Sequence, residues 1–192
     1  MRGRKRYTSR WRGALAGTLP FAVAPIPVCA YGHLSVEDAQ HAAFASADSF
    51  TAVALTLNDE QRRQIAMLAG PQSGHGHLQI WQVMRGNTSL GYFFVDEVIG
   101  RQALITYAVG IDGDGTFGTP EVLAYRESHG GEVRNRNWRR QFAGRRDLAD
   151  LRFGVDIKNI AGATLSAEHL TQGMRWLHAL WQVVLQPVAQ VR

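Results

Sequence analysis

The stretch Leu78-Gln79-Ile80-Trp81-Gln82-Val83-Met84-Arg85-Gly86-Asn87-Thr88-Ser89-Leu90-Gly91-Tyr92-Phe93-Phe94-Val95 decides the fold. Its first half alternates apolar and polar residues, the period of a strand with one face on a core. Gly86-Asn87 then breaks the run with two turn-forming residues. Leu90 to Val95 is a second apolar and aromatic run. Two more follow over 103–109 and 121–125, separated by Gly and Asp. Short β-rich segments joined by such turns predict an antiparallel sheet. Residues 148–157 read as a further strand or a turn segment.

Working outward, Ser35-Val-Glu-Asp38 pairs an N-cap hydroxyl with an acid three residues on, and predicts a short helix over 35–45. Asn58-Asp-Glu-Gln61 starts a second, carrying Ile65, Met67 and Leu68. At the other end Leu170, Met174, Leu177, Trp181 and Val184 recur at helical spacing, which predicts a helix over 166–185. The class is α+β: one domain over 31–192, an antiparallel β-sheet packed with helices and closed by a C-terminal helix.

Residues 1–30 are a separate object. Arg2, Arg4, Lys5, Arg6, Arg10 and Arg12 precede an uncharged run from Gly13 to Val28, and Val28-Cys29-Ala30 offers short residues at −3 and −1 of a cut. This is the layout of a secretory signal peptide. An uncleaved anchor is the competing reading, but Pro20, Pro25 and Pro27 interrupt a run shorter than the ~20 apolar residues of a spanning helix. The expected location is periplasmic or otherwise extracytoplasmic, with membrane association only through a partner or an uncleaved N-terminus.

The charge follows the same division. The 192 residues hold 21 Lys+Arg and 16 Asp+Glu, a formal charge of +5. Without the leader's six basic residues the remainder is 15 basic and 16 acidic, or −1. The basic balance belongs to the leader, so no nucleic-acid partner is expected. The single Cys excludes an internal disulfide, a multi-Cys zinc site and an iron–sulfur cluster.

Several motifs have bland readings. Asp112-Gly-Asp-Gly-Thr116 starts like a calcium loop, but Leu123 stands at the twelfth position, where a bidentate acid is needed. A Gly-rich hairpin turn is the better reading. His75 and His77 lack a third ligand, so no metal site is expected. His169 and His178 read as surface or capping histidines. Arg134, Arg136, Arg139, Arg140, Arg145 and Arg146 surround Trp138 and Phe142. They are either an anion or acidic-partner site or a solvated face.

Asn159-Ile-Ala161-Gly162-Ala163-Thr164-Leu165-Ser166 runs directly into the last helix. Gly162 permits close backbone approach of a ligand, and free N–H groups of a first helical turn suit a phosphate. The Thr164 hydroxyl could touch or be esterified by that phosphate. The same pattern fits a plain N-cap, and the residues alone leave both readings open.

This segment resembles the FMN-binding domain of the small flavoprotein subunits of sodium-pumping quinone reductase and the related Rnf complex. Their signature is Ser/Thr-Gly-Ala-Thr, then Ser/Thr and a helix; here it reads Ala161-Gly162-Ala163-Thr164-Leu165-Ser166. The similarity extends upstream through Glu127-Ser128-His129-Gly130 and Phe142-Ala143-Gly144-Arg145, in the family's order, over about residues 78–185. Ala161 replaces the usual hydroxyl residue, Lys158 a frequent acid, and His129 a proline. The resemblance implies FMN joined to Thr164 by a phosphoester, installed by an FAD:protein FMN transferase outside the cytoplasm. It further implies Ala161, Gly162, Ala163, Leu165 and Ser166 as phosphate-side neighbours, and Glu127, Ser128 and His129 as a loop near the flavin. No catalytic acid–base constellation stands out, so an electron carrier serving a membrane or periplasmic redox partner is favoured over a substrate-turning enzyme. A flavin-less exported binding or assembly domain of the same fold is the alternative.

Overall fold

The computed structural model describes residues 34–70, 77–126 and 130–186. The expected leader, His75 and the Glu127, Ser128 and His129 loop lie outside them. Five strands form one antiparallel meander: β1 (Ser49–Ala52), β2 (Gln79–Arg85), β3 (Thr88–Ile99), β4 (Leu104–Asp112) and β5 (Glu121–Tyr125). Helices α1 (Val36–Ala43), α2 (Asp59–Ala69), α3 (Arg136–Arg139) and α4 (Thr164–Leu180) accompany it. The architecture is α+β, with the C-terminal helix where the periodicity placed it.

The local signals act as their chemistry dictates. Ser35 Oγ accepts from Asp38 N to cap α1, and Asn58 with Gln61 closes a reciprocal capping box on α2. Gly86-Asn87 turns β2 into β3. Strand β1 has no counterpart in the sequence reading, because Ser49-Phe-Thr-Ala52 offers one large apolar side chain; its place is set by pairing with β2, Phe50 opposite Val83. Residues 148–157 form no regular strand. They make a 3₁₀ turn over Leu148–Asp150 and a single bridge between Phe153 and Ile157, folded back by Arg152 on Asp156 at 2.7 Å. Helix α4 starts two residues earlier than the periodicity predicts.

Alternation along the strands sends Ile80, Tyr92, Phe94, Val98, Ile105, Tyr107 and Val109 to one face, against Leu170, Met174, Leu177 and Leu180 of α4. Val83, Phe93, Val95 and Ala108 face the other way, toward Ala39 of α1. Helix α4 lies directly on the sheet at Gly173. A Cβ there would stand 2.5 Å from Tyr107 Oη and 2.8 Å from Val98 Cγ1. Tyr107 cannot yield easily, since its buried hydroxyl donates to Asp96 Oδ2 at 2.8 Å. Gly173→Ala should therefore destabilise by about 1–3 kcal/mol from overpacking, outweighing the roughly 1 kcal/mol gain in helix propensity. Urea unfolding would show it, and an unchanged midpoint would contradict the close packing.

The far end of α4 corrects one sequence reading. His178 is fully buried, its ring 5.4 Å from that of Phe117 and 5.5 Å from that of Trp181, with neither ring nitrogen hydrogen-bonded among the described residues. Here the helix widens into a π turn over Trp181–Leu185. The β4–β5 connection packs on it: a Cβ on Gly115 would stand 2.6 Å from Trp181 Cζ3. Burial lowers the His178 pKa, opposed by the backbone of Gly115 and Arg146 and by Asp147. In that same turn, burial and the neighbouring Asp114 carboxyl push Asp112 up to about 6.

The two groups act oppositely on stability. His178 is neutral when folded and charges more readily when unfolded, so it costs stability as pH falls below ~6.5. Asp112 holds its proton better when folded, so it costs stability as pH rises from ~4 toward 6 and keeps that penalty above. Asp112→Asn should accordingly raise the melting temperature at pH 8 and converge with wild type near pH 4. The opposite pattern in paired thermal melts would refute the assignment.

Candidate functional site

Topology gathers the site at one edge of the sheet. Ile99 pairs with Leu104 at the β3–β4 turn, and Ile105 pairs with Tyr125 at the end of β5. The turn at 100–103 and the chain leaving β5 therefore emerge together. Helix α4 brings its first two turns to the same edge, where the His169 Nδ1–H donates to the Ile99 carbonyl at 2.6 Å. That bond assigns the proton to Nδ1, because a carbonyl oxygen can only accept.

Between these parts lies a cavity of about 300 Å³, lined by Arg101, Gly130, Gly162, Ala163, Thr164, Leu165 and Ser166. It is at the low end of ligand-pocket volumes. No helix among the described residues is long and apolar enough to cross a membrane.

Thr164 is the first residue of α4 and exposed. It does not cap the helix: the N-cap is Ala163, without a side-chain bond. The N-cap reading of this hydroxyl is thereby overturned, and the helix's first N–H groups keep no side-chain cap. Asn159 Nδ2 donates to Thr164 Oγ1 at 3.1 Å, while Asn159 Oδ1 accepts from Ile160 N at 2.7 Å. The second bond fixes which amide atom is oxygen, so the NH₂ end faces Thr164. Among the described residues nothing accepts the Thr164 hydroxyl proton.

Gly162 has φ +85°, and a Cβ there would meet nothing within 4 Å. Its backbone is open to an approaching group, and its left-handed conformation disfavours any side chain. Ala161 is exposed in the same turn, outside the cavity wall. Ser166 is 2% exposed and lines the cavity, with no hydrogen-bond partner for its hydroxyl among the described residues. Leu165 stands 45% exposed on the rim. Gly130, at φ +83°, packs so closely that a Cβ would be 2.6 Å from Tyr125 Oη and 3.0 Å from Ser166 Oγ. Gly130 itself lines the cavity; the stretch before it, 127–129, is outside the described residues.

Phe142–Arg145, read as part of the resemblance, and the preceding Trp138 and Gln141 support the loop from behind. Trp138 Nε1 donates to the Lys158 carbonyl at 2.6 Å, and Gln141 Oε1 accepts from Lys158 N at 2.9 Å. Phe142 is fully buried, edge-on to Trp138 at 5.4 Å. Arg145 donates to the carbonyls of Gln141, Asp150 and Asp156.

The arginine cluster consequently divides. Arg139 is buried, bound to Glu121 at 2.6 Å and to the carbonyls of Pro120 and Arg134. Arg145 is spent on backbone, and Arg146 pairs with Asp114 at 3.6 Å. Arg134, over the Tyr125 ring at 5.6 Å, with Arg136 and Arg140, remains exposed. The cluster, read from sequence as either an anion or acidic-partner site or a solvated face, is in part scaffold.

Arg101 was missed. A lone arginine in a Gly-Arg-Gln turn carries no motif, and only the meander shows that this turn shares an edge with the α4 N-terminus. No known family model matches the chain, and no curated protein matches it.

Proposed function

We infer that this is an exported electron-transfer protein that carries FMN, joined through a phosphoester to Thr164. The observation that supports the reading most is the coincidence of the cavity with the segment singled out from sequence: one exposed hydroxyl stands at a helix start, beside open glycine backbone and Ser166, a residue 2% exposed whose hydroxyl has no partner among the described residues. These residues fit a phosphoester. The α4 N–H groups favour negative charge, Ser166 Oγ–H has a proton to donate, and Gly162 lets the backbone approach. Exposed Leu165 on the rim, with Ile99 and Leu104 closing the hairpin that bears Arg101, supplies apolar surface for a flat ring.

Attachment balances as a phosphoryl transfer. Thr164 Oγ1 bonds to the flavin-side phosphorus of FAD, the pyrophosphate P–O bond breaks, AMP leaves, and the hydroxyl proton passes to the transferase or solvent. Once bound, the flavin supplies one- and two-electron transfer. The chain's own residues hold the phosphate, orient the tether and set exposure. Of the arginine cluster, Arg134, Arg136 and Arg140 stay exposed to meet an acidic membrane or periplasmic redox partner, an attraction that salt would weaken.

Intact mass of protein co-expressed with an FAD:protein FMN transferase tests the reading. The expected mass is the chain from residue 31 plus FMN less one water. A colourless protein without the adduct, under conditions that flavinylate a control substrate, overturns it and leaves the flavin-less binding or assembly domain.

A further inference from the structure

Among the described residues Arg101 is the one cation in the cavity wall, and nothing in the sequence marked it. Its side chain is exposed, and among the described residues no ion pair or hydrogen bond occupies the guanidinium. The turn that carries it is not loose. His169 Nδ1 reaches the carbonyls of Ile99 at 2.6 Å and Gly100 at 3.3 Å, so the first two turns of α4 hold the hairpin end directly before Arg101. A free planar cation therefore shares a concavity with uncapped helix N–H groups and with Ser166, a residue 2% exposed that lines the cavity and whose hydroxyl has no partner among the described residues. Each of the three favours an anion, and together they favour one with several acceptor oxygens.

We propose that Arg101 is a phosphate-recognition residue, positioned by His169, and that it makes the cavity distinguish a phosphorylated flavin from the same flavin without phosphate. This rests on the flavin reading above. Arg101 touches the phosphate; His169 acts only through the turn.

The test separates ligand recognition from tethering. Thr164→Val, which cannot be esterified, is titrated with FMN and with riboflavin at low salt, alone and combined with Arg101→Ala, Arg101→Lys or His169→Ala. In parallel, the ³¹P resonance of flavinylated wild type is compared with that of flavinylated Arg101→Ala. FMN should bind at least about tenfold more tightly than riboflavin, roughly 1.4 kcal/mol. Arg101→Ala should remove most of that ratio with riboflavin affinity unchanged, Arg101→Lys should keep part of it, and His169→Ala should reduce it. The ³¹P resonance should shift. General destabilisation would weaken both flavins alike and leave the ratio alone. A ratio and a resonance both unmoved by Arg101→Ala overturn the proposal and leave the flavin reading standing. Absence of both an adduct on wild type and binding of either flavin overturns the two together.

Discussion

Thr164→Val is expected to abolish the flavin adduct completely while leaving the fold and its stability nearly unchanged. The substitution keeps the β-branched shape and removes one oxygen. That oxygen accepts a single hydrogen bond, from the exposed Asn159 amide at 3.1 Å, and takes no part in capping α4. Surface changes of this kind cost within about 0.5 kcal/mol. Thr164→Ser should retain an adduct, since the nucleophile remains. Asn159→Ala should slow its formation without preventing it, because the amide only steadies the oxygen. Intact mass after co-expression reads all three, and urea unfolding reads the fold. An adduct that survives Thr164→Val would move the tether elsewhere. Ser166 is a poor candidate for it, being 2% exposed.

Much of the fold was legible in the sequence, for identifiable reasons. Period-2 alternation in 78–95 reports burial of one sheet face, and every strand with that pattern is present. The caps at Ser35 and Asn58 report backbone donors that need partners, and both work as expected. Strand β1 and Arg101 were not legible, and the cause is common to both. Phe50 is ordered by a partner strand some thirty residues away, and Arg101 by a histidine sixty-eight residues further on. Neither has a local pattern because neither is stabilised locally. His178 misled for the converse reason: an ionisable residue usually marks surface, but here two aromatic rings and the π turn enclose it.

The same distinction between local and tertiary partners decides the last prediction. Arg139 and Arg140 are neighbours in a basic run, and the sequence treats them alike. Arg139→Met should lower stability by about 2–4 kcal/mol, whereas Arg140→Met should change it by less than about 0.5. The Arg139 guanidinium is 8% exposed and donates to Glu121 Oε2, to the Pro120 carbonyl and to the Arg134 carbonyl. Methionine fills the space of the stem but leaves those acceptors without their cation, and desolvated acceptors without a donor are what make breaking a buried pair costly. Glu121 is 26% exposed and can recover some water, which places the loss toward the lower part of the usual range for buried pairs. Arg140, exposed and 3.5 Å from Asn137 Oδ1, has little to lose. Adding Glu121→Gln to Arg139→Met should recover part of the deficit, because it removes the stranded charge. Urea midpoints for the four proteins decide it. If Arg139→Met proves as stable as Arg140→Met, the buried guanidinium does not tie β5 to α3, and the backing of the Lys158–Asn159 loop must come from Trp138 and Gln141 alone.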